Sequence, residues 1–346
     1  TEYTEFDNDQ WLSYKEVNQK FADVVLANSK DGDTIWVHDY QLLLLPELIK
    51  NERPNSKIGL FLHIPYPSFE IFRIFPWREE LLNGMLGADL IGFHTYDYER
   101  HFISSVKRIL RLEVNFNQIS LDDRIIKVDS FPMGIDYDKF FNAALEKVNT
   151  PEDEKSDMQL RLEEHAKTAS GTKLILSIDR MDYTKGIPNR IRAFEYFLTH
   201  NPEYKEKVRL IMLSVPSRSN VPQYQMLKRE TDELVGRING QFSTVNWTPI
   251  WYFYRSIPFD SLIDLYSSSD VALITPLRDG MNLVAKEYVA TRTNQDGVLI
   301  LSEMAGASKE MNEAIIINPN NFEQFSNAIK QALEMPLEEQ VSRMEI

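Results

Sequence analysis

The stretch KLILSIDRMDYTKGIP, residues 173–188, sets the fold class. Residues 173–178 form an apolar run of strand length, and Pro188 stands at an N1-like position that opens a helix. A strand that leads through a short polar loop into a helix is the first half of a βαβ unit. In such folds ligands bind beyond the carboxyl ends of the strands, so Arg180 and Lys185 lie where an anion would bind.

The same alternation of strand and helix extends in both directions from this segment. Helical patterns are predicted at 10–27, 42–50, 77–85, 96–110, 188 onward, 222–238 and from Phe322 onward. Strands are predicted at 34–37, 57–62, 89–93, 125–128, 173–178, 208–215, 249–254, 270–275, 297–301 and 314–318. Alternating strands and helices predict an α/β protein with parallel sheets, and the continuously apolar strands favour sheets covered on both faces.

A polar segment near residues 135–170 divides the pattern into two Rossmann-like domains, which we place at 1–136 and 137–346. We expect residues 150–155 to be a solvated connection between two helical pieces. With two facing parallel sheets, the active site is expected in the cleft between the domains. The first domain shows only about four strands and no G-x-G-x-x-G loop, so it is either atypical or lacks its natural N-terminus.

Composition excludes several classes of protein. The chain has 346 residues, 43% hydrophobic and 26% charged, which is typical of a soluble globular protein. A net charge of −14 argues against nucleic-acid binding, because phosphate backbones need a basic face. No apolar run approaches the ~18 residues of a membrane span, and residues 1–10 do not form a signal peptide. The expected location is therefore the cytoplasm.

Absent motifs narrow the chemistry further. The chain has no cysteine, no His-Glu-x-x-His, no G-x-S-x-G elbow and no Walker A sequence. We therefore expect no metal and no bound cofactor, and a transfer reaction driven by binding of its substrates. An anionic substrate would be held by local basic groups and backbone amides.

Two segments at predicted strand ends carry the charged groups for such binding. On 177–186, Arg180 and Lys185 could grip a diphosphate, although a surface ion pair with Asp179 or Asp182 explains them equally well. On 275–287, a turn through Gly280 leads to a helix starting near Asn282, whose free amides would face an anion. Asp279 and Glu287 suit sugar hydroxyls, with a helix cap and a solvated helix face as the respective alternatives.

A third group of polar residues follows the first two predicted strands. His38 and Asp39 end one strand, and His63 ends the next, which brings them to one edge of a sheet. His94, at a third strand end, competes with His63, and a structural role is the commoner fate of a lone histidine. Arg218 follows another strand and is either an anion ligand or an ordinary exposed arginine.

With these residues in place, the chain resembles the trehalose-6-phosphate synthases, which are retaining glycosyltransferases with two facing Rossmann domains (the GT-B architecture). The most specific segment of the resemblance is RDGMNLVAKEY at 278–288. Further matching segments are 36–40, 63–67, 75–78, 87–96, 180–186 and 236–240.

The resemblance implies a role for each candidate residue. In the donor domain, 137–346, it implies that Arg180 and Lys185 bind the donor diphosphate and that Glu287 binds the ribose. It implies that Asp279 and His63 hold the transferred glucose, while Asp39 faces the acceptor sugar and Arg218 the acceptor phosphate. The backbone that would complete the diphosphate cradle is that of Gly280, Met281, Asn282, Leu283 and Val284. The residues it implies for catalysis are Asp39, His63, Arg180, Lys185 and Asp279.

The reaction implied is transfer of glucose from UDP-glucose to glucose 6-phosphate with retention of configuration, giving trehalose 6-phosphate and UDP. The family is thought to use the departing phosphate to help deprotonate the acceptor, which demands charge stabilisation and orientation of two sugars. A glycosidase using Asp39 with Asp279 or Glu287 would leave Arg180 and Lys185 unexplained. Two alternatives stay open: a sister transferase with another phosphorylated acceptor, such as a glycerol phosphate, and a catalytically silent regulatory subunit of a trehalose-synthesising complex.

The resemblance also bears on whether the first domain is complete and on which proteins the chain associates with. The family pattern begins with a strand, a Gly-rich loop and residues that hold the acceptor phosphate, and the match here starts beyond them. We therefore expect the first, acceptor-binding domain to be incomplete and the chain alone to be inactive or very weakly active. Homo-oligomerisation and association with a trehalose-phosphate phosphatase both remain open.

Overall fold

The computed structural model describes residues 4–121, 124–148, 150–168 and 171–346. The chain forms two compact units that divide between Met133 and Gly134. This division lies three residues before the one predicted from sequence at 136/137. Residues 1–3 of the predicted first domain lie outside the described ranges.

The first unit contains a sheet of six strands in the order β1-β2-β3-β6-β5-β4. The bounds of these strands are Thr34–His38 (β1), Lys57–Leu62 (β2), Leu90–Phe93 (β3), Val114–Asn115 (β4), Gln118–Leu121 (β5) and Arg124–Ser130 (β6). Strands β1, β2, β3 and β6 are parallel, and β4 and β5 form an antiparallel hairpin that pairs with β6. The four parallel strands confirm the prediction, whereas the sequence pattern does not indicate the hairpin.

This hairpin is too short to leave a periodic signal. Strand β4 has two residues and β5 has four, and the turn between them places Phe116 in the left-handed region at φ 53°. A left-handed backbone is unusual for phenylalanine. The turn contains neither Gly nor the Asn-Gly pair that usually indicates a hairpin in a sequence. All four predicted strands are therefore present, and the sequence pattern misses the two short strands of the hairpin.

Five α-helices accompany the first sheet over the described residues. Their bounds are Asn8–Asn28 (α1), Leu45–Glu52 (α2), Phe69–Phe72 (α3), Arg78–Leu86 (α4) and Tyr96–Ser105 (α5). The helix predicted at 42–50 begins later, because a 3-10 turn at Tyr40–Leu42 precedes it. Helix α5 continues into a π-helical turn at Val106–Leu110, which completes the predicted helix at 96–110.

The first sheet is buried more completely on one face than on the other. Ile58, Leu60 and Phe93 belong to the core of this unit. On the opposite face, Trp36 is 68% exposed and Ile125 is 63% exposed. Phe61 also lies on this second face and is 7% exposed, so the second face is partly covered.

The second unit contains a fully parallel sheet of six strands in the order β12-β11-β10-β7-β8-β9. The strands span Lys173–Arg180 (β7), Val208–Val215 (β8), Ile250–Tyr254 (β9), Val271–Ile274 (β10), Val298–Ser302 (β11) and Ile315–Ile317 (β12). The predicted bounds of all six agree with these to within two residues at each end. Leu174 to Asp179 are all buried, as expected for a central strand covered on both faces.

In the part of the second unit that the structure describes, there are eight α-helices. They span Tyr137–Val148 (α6), Asp157–Thr168 (α7), Ile187–His200 (α8), Pro222–Phe242 (α9), Phe259–Ser268 (α10), Leu283–Ala290 (α11), Phe322–Glu334 (α12) and Leu337–Glu345 (α13). Pro188 lies in the first turn of α8, and Pro222 is the first residue of α9. The sequence pattern predicts one terminal helix, which the structure divides into α12 and α13 at Pro336. Among the described residues, no helix combines the length and the apolar character that a membrane span needs.

Candidate active site

Strand β7 ends in an exposed arginine. The Arg180 side chain makes no hydrogen bond or ion pair with any described residue. Its two suggested partners are occupied elsewhere: Asp179 is bound by Arg190, and Asp182 accepts hydrogen bonds from Thr184 and Tyr224. The surface ion pair is thereby excluded, and Arg180 is a cation at a strand end with its guanidinium uncommitted.

Buried Arg190 holds the base of this loop. Its side chain is 1% exposed and its Nη1 lies 2.6 Å from Asp179 Oδ2. Its Nε donates to Thr275 Oγ1 on the segment after β10 at 2.9 Å, and its Nη2 donates to the Lys185 carbonyl at 3.1 Å. One side chain on α8 therefore fixes the ends of two strands and the backbone that carries Lys185.

Asp182 shapes the loop between Arg180 and Lys185. Its Oδ1 accepts from the Thr184 amide at 2.9 Å and from the Thr184 hydroxyl at 2.8 Å, which starts a 3-10 turn. Burial raises the pKa of Asp182, but the hydrogen bonds from Thr184 and Tyr224 outweigh it and hold the pKa below its usual value. Gly186 ends the turn at φ 65°, where a Cβ would meet the Thr275 carbonyl at 3.0 Å.

Lys185 and Asp279 form an ion pair across the ends of β7 and β10. Both side chains are mostly buried, at 14% and 13% exposed. Asp279 Oδ2 also accepts from the Asn282 side-chain amide at 3.0 Å. The structure thus joins two residues, 94 positions apart in sequence, that the sequence predicts separately as donor ligands.

The loop after β10 is held by backbone contacts with the segment after β11. The Gly306 amide donates to the Asp279 carbonyl at 3.1 Å, and the Ala307 amide donates to the Met281 carbonyl at 2.7 Å. A Cβ on Gly306 would lie 2.0 Å from the Gly280 carbonyl oxygen, so only glycine fits there. Gly306 carries no sequence signal, because its role arises from a backbone approach made in three dimensions.

Helix α11 begins at Leu283 and presents its N-terminus beside this loop. Asn282 is the N-cap, with φ 77°, and its Oδ1 accepts from the Ala285 amide at 3.3 Å. The amides of Leu283 and Val284 precede any intrahelical partner and are available to an anion. The Met281 amide instead points toward Asp279 Oδ1 at 3.4 Å, so the predicted cradle of free amides is smaller by one.

Glu287 lies further along α11 and is tied to a buried tyrosine. The Tyr266 hydroxyl donates to Glu287 Oε2 at 2.6 Å. Burial and then the neighbouring Glu287 carboxylate raise the pKa of Tyr266 well above its ordinary value, so Tyr266 stays a donor. The second carboxylate oxygen, Oε1, accepts no hydrogen bond from the described residues. Glu287 is half-buried and held in position, which argues against the alternative of a solvated helix face.

Arg218 lies on the loop after β8 and reaches the same network. It adopts a left-handed backbone at φ 44°, and its Nη1 donates to the Tyr224 hydroxyl at 3.2 Å. Tyr224 in turn donates to Asp182 Oδ2 at 3.1 Å, and its pKa is raised to about 12 by burial and by the Asp182 charge. Arg218 is therefore an exposed arginine with a defined orientation, linked through Tyr224 to the loop that follows β7.

In the first unit, three histidines gather where β1, β2 and β3 end. His38 Nδ1 and His63 Nε2 lie 3.0 Å apart, and the rings of His63 and His94 have centroids 5.4 Å apart. Asp39 accepts from the His63 amide at 3.2 Å and has φ 68° with ψ 177°, a combination that is strained for any residue but glycine. Burial lowers the pKa of His63, with Asp39 opposing and His38 reinforcing the shift. The sequence offers His63 and His94 as alternatives, and the structure places both in one cluster.

The site residues therefore divide between the two units. Sequence reasoning found the charged groups that follow strands, namely Arg180, Lys185 and Asp279. It missed Arg190 and Tyr266, which lie on helices and act on those groups through tertiary contacts. A buried arginine inside a helical pattern gives no sequence signal that separates it from an exposed one.

The arrangement in the second unit suits a nucleoside diphosphate that carries a sugar. Arg180 and Lys185 supply positive charge, and the first turn of α11 supplies amides for a diphosphate. Asp279 and Glu287 supply acceptors for hydroxyl groups. Within the described ranges, no group of three or more His, Asp or Glu side chains is arranged to hold a metal ion.

Comparison with known proteins identifies the class. Over 99% of its length the chain superposes on an E. coli trehalose-6-phosphate protein bound with UDP-2-fluoro glucose, covering 75% of that chain with a TM-score of 0.93 and 33% identity. It also superposes on an alpha,alpha-trehalose-phosphate synthase (UDP-forming) from Burkholderia xenovorans in complex with glucose-6-phosphate, covering 99% and 74% of the two chains, with a TM-score of 0.91 and 32% identity. The fold is that of the GT-B glycosyltransferases.

Sequence comparison then gives the family. The sequence profile of glycosyltransferase family 20 matches residues 1–346, and the chain belongs to this family. It is 48% identical over 338 residues to the UDP-forming alpha,alpha-trehalose-phosphate synthase of Candida albicans, which covers 96% of this chain and 69% of that relative. It is 46% identical over 336 residues to the 56 kDa subunit of the Saccharomyces cerevisiae synthase, covering 96% and 66%.

The same fold occurs in a protein named for another activity. The N-terminal domain of Candida albicans trehalose-6-phosphate phosphatase superposes with a TM-score of 0.90 and 35% identity, covering 99% of this chain and 71% of that one. The chain spans between two fifths and seven tenths of the length of the first curated relatives.

Proposed function

We propose that the protein transfers glucose from UDP-glucose to glucose 6-phosphate with retention of configuration, and so produces trehalose 6-phosphate and UDP. The observation that carries this proposal is the arrangement at the ends of β7 and β10. There, the uncommitted guanidinium of Arg180 shares a loop with Lys185, which is paired with Asp279 beside the start of α11. Family membership and the named relatives agree with it.

The donor half of the reaction is assigned to the second unit. Arg180, Lys185 and the amides of Leu283 and Val284 would bind the diphosphate and stabilise the charge that develops on it as the glycosidic bond breaks. Glu287, oriented by Tyr266, would accept hydrogen bonds from the ribose hydroxyls. Lys185 is paired with Asp279 before any donor binds, so donor binding requires Lys185 to exchange a carboxylate for a phosphate.

In the first unit, Asp39 would face the acceptor sugar, and His63 would help to hold the transferred glucose. Arg218 of the second unit would take the acceptor phosphate. The strained backbone of Asp39 and its bond to the His63 amide fix both groups at the end of a strand. Strain of this kind clusters at functional positions. The absence of a metal requirement, a cytoplasmic location, and self-association or association with a trehalose-phosphate phosphatase stay predictions.

Two other functions fit part of the site. A sister transferase with another phosphorylated acceptor would use the same donor residues and differ only in its acceptor. A silent regulatory subunit gains some support from the likeness to the N-terminal domain of a phosphatase. The retained set of Arg180, Lys185, Asp279 and Glu287 favours an active donor site.

The first test is calorimetric titration of UDP into the 346-residue chain and into Arg180→Ala. Loss of charge-assisted hydrogen bonds costs about 1.5–3 kcal/mol, so affinity should fall by about 10- to 100-fold. Arg229→Ala is the matched control, because Arg229 is exposed on α9 and makes no contact with the described residues that would tie it to the site. Absence of UDP binding by the parent chain would contradict the proposed donor site. Equal affinity in Arg180→Ala would contradict the role of Arg180 in that site.

The second test identifies the reaction. The protein is incubated with UDP-glucose and either glucose 6-phosphate or glycerol 3-phosphate, and the products are analysed by NMR. The proposal requires a product with an α,α linkage from glucose 6-phosphate. A product only from glycerol 3-phosphate would establish the sister transferase.

A further inference from the structure

A large cavity lies in the second unit, on the side of the edge strand β9. It has a volume of about 1500 Å³ and opens between α7, β8, β9 and the start of α10. None of the candidate donor or acceptor residues lines it. The residues that matter for its chemistry are Arg209 on β8, His165 on α7 and Trp251 on β9.

Arg209 places a buried positive charge in the wall of this cavity. The residue is 5% exposed, and no described carboxylate forms an ion pair with it. Its Nε donates to the Thr248 carbonyl at 2.9 Å, its Nη1 reaches His165, and its guanidinium lies 4.1 Å from the centroid of Trp251. Its Nη2 donates to no acceptor among the described residues. Burying a guanidinium without an acidic partner destabilises the folded protein, and a bound anion would offset that loss.

His165 adds a donor that is fixed by its contact with Arg209. The Arg209 Nη1 lies 2.9 Å from His165 Nδ1, and a guanidinium can only donate, so Nδ1 must be the acceptor. The imidazole is therefore neutral, with its proton on Nε2. Burial first and then the charge of Arg209 lower the pKa of His165, in agreement with this tautomer.

The Nε2–H of His165 has no acceptor within the described part of the chain. The residue is 7% exposed, and Nε2 is buried without a hydrogen-bond partner there. Leaving such a donor unsatisfied destabilises the folded protein, and buried polar groups are seldom left so. An oxyanion in the cavity would satisfy this N–H and the remaining N–H groups of Arg209 together.

The other charged side chains that line the cavity do not neutralise the positive charge of Arg209. Arg161 and Arg255 also line it, and so do two carboxylates, Asp157 and Glu164. Three arginines therefore face two carboxylates, which leaves an excess of one positive charge. Trp251 and Phe253 supply apolar surface next to the charged corner.

We propose that this cavity is a binding site for a phosphate monoester, whose phosphate accepts hydrogen bonds from Arg209 and from His165 Nε2–H. Arg209 is the second residue of β8, so the anchor lies toward the amino end of that strand, whereas the candidate active site follows the carboxyl ends. The site is therefore distinct from the one that binds the donor. An organic body attached to the phosphate would occupy the part of the cavity lined by Trp251 and Phe253.

The test uses the 346-residue chain labelled with ¹⁵N-histidine, with UDP at saturating concentration to occupy the donor site. Inorganic phosphate is titrated in one arm and acetate in the other, and the ring nitrogens are followed by NMR. Saturable shifts at His165, with His200 unchanged because it is exposed on α8, support the proposal. Tighter binding of acetate than of phosphate overturns the assignment to a phosphate group.

Variants distinguish this site from an adventitious ion and from the donor site. Because the His165 variants lack the NMR reporter, phosphate affinity of all variants is measured by calorimetric titration in the presence of saturating UDP. Arg209→Met should weaken phosphate binding by about 10- to 100-fold, and His165→Phe by about 2- to 10-fold, while His165→Gln keeps a donor and retains binding. Arg255→Met is the matched control, since Arg255 lines the same cavity but is exposed. If Arg209→Met does not fold, the His165 pair still decides the outcome. Linear shifts shared with His200 would mean an adventitious ion only, and loss of binding in Lys185→Ala instead would place the phosphate at the donor site; either result overturns the proposal.

Discussion

The ion pair between Arg190 and Asp179 gives the sharpest prediction about stability. Both side chains are almost fully buried, at 1% and 3% exposed, so water cannot take the place of either partner. In Arg190→Met the apolar volume is nearly kept, but the Asp179 carboxylate is left buried without its cation. Removing one partner of a buried pair costs about 3–5 kcal/mol.

That free energy translates into a measurable change in thermal unfolding. For a unit of this size each kcal/mol shifts the midpoint by about 2–4 °C, so a fall of about 6–20 °C is expected. The matched control is Arg192→Met, two residues along the same helix. Arg192 pairs with Glu230 where the two side chains are 40% and 45% exposed, and such pairs contribute about 0–1 kcal/mol. Thermal unfolding followed by circular dichroism at pH 7 compares the three proteins.

The pH dependence of the loss tests its cause. Burial raises the pKa of Asp179, and the Arg190 guanidinium opposes that rise. In Arg190→Met the opposition is removed, so folded Asp179 keeps its proton to higher pH than the unfolded chain does. The folded variant then binds more protons than the unfolded one above the unfolded pKa, and its stability falls as pH rises. The difference in the free energy of unfolding between the parent and Arg190→Met should therefore be largest near neutral pH and become smaller toward pH 4.

Two results would refute this reasoning. A stability for Arg190→Met within about 1 kcal/mol of that of Arg192→Met would show that the buried pair contributes no more than a surface pair. A gap between parent and variant that widens on acidification would show that the loss does not come from the stranded Asp179 carboxylate.

Three further outcomes follow from close contacts and from titration. Gly306→Ala should abolish UDP binding in calorimetry, because the added Cβ would displace the Gly280 carbonyl. Gly240→Ala, at an exposed position of α9, should keep UDP affinity, because its added Cβ meets nothing within 4 Å. Gly240→Ala should also raise the free energy of unfolding by about 0.5–1 kcal/mol, measured by urea denaturation. The pKa of His165 is lowered in the folded chain, so the unfolded chain binds its proton first and parent stability falls as pH drops below about 6.5. His165→Phe should lose less stability over that range, and an identical pH profile would contradict the assignment of a neutral His165.

Much of the fold could be predicted because its signals are local. A continuous apolar run such as that of β8 predicts a buried parallel strand wherever the rest of the chain lies. Proline in the first turn located the starts of α8 and α9 within a residue. Short elements could not be predicted from the sequence. The hairpin of β4 and β5 is an example, because two to four residues are too few to show a hydrophobic period.

The candidate site could be predicted only in part, for the same reason. Arg180, Lys185 and Asp279 follow apolar strands, and in parallel sheets such positions converge at one edge. Whether each would be free or paired depends on neighbours distant in sequence. Arg180 is left uncommitted because Arg190 occupies Asp179, and Lys185 is not free because Asp279 binds it.

Local sequence pattern was sufficient for the α/β class, the two units and the strand ends that carry charge, because hydrophobic periodicity and the parallel-sheet rule act over short stretches of chain. Three-dimensional packing alone established that Gly306 must lack a side chain, that Tyr266 orients Glu287, and that Arg209 and His165 meet without an acidic partner among the described residues. Those facts depend on distances between residues far apart in the chain. Desolvation and hydrogen bonding change steeply over about an ångström, and sequence pattern does not encode separations at that scale.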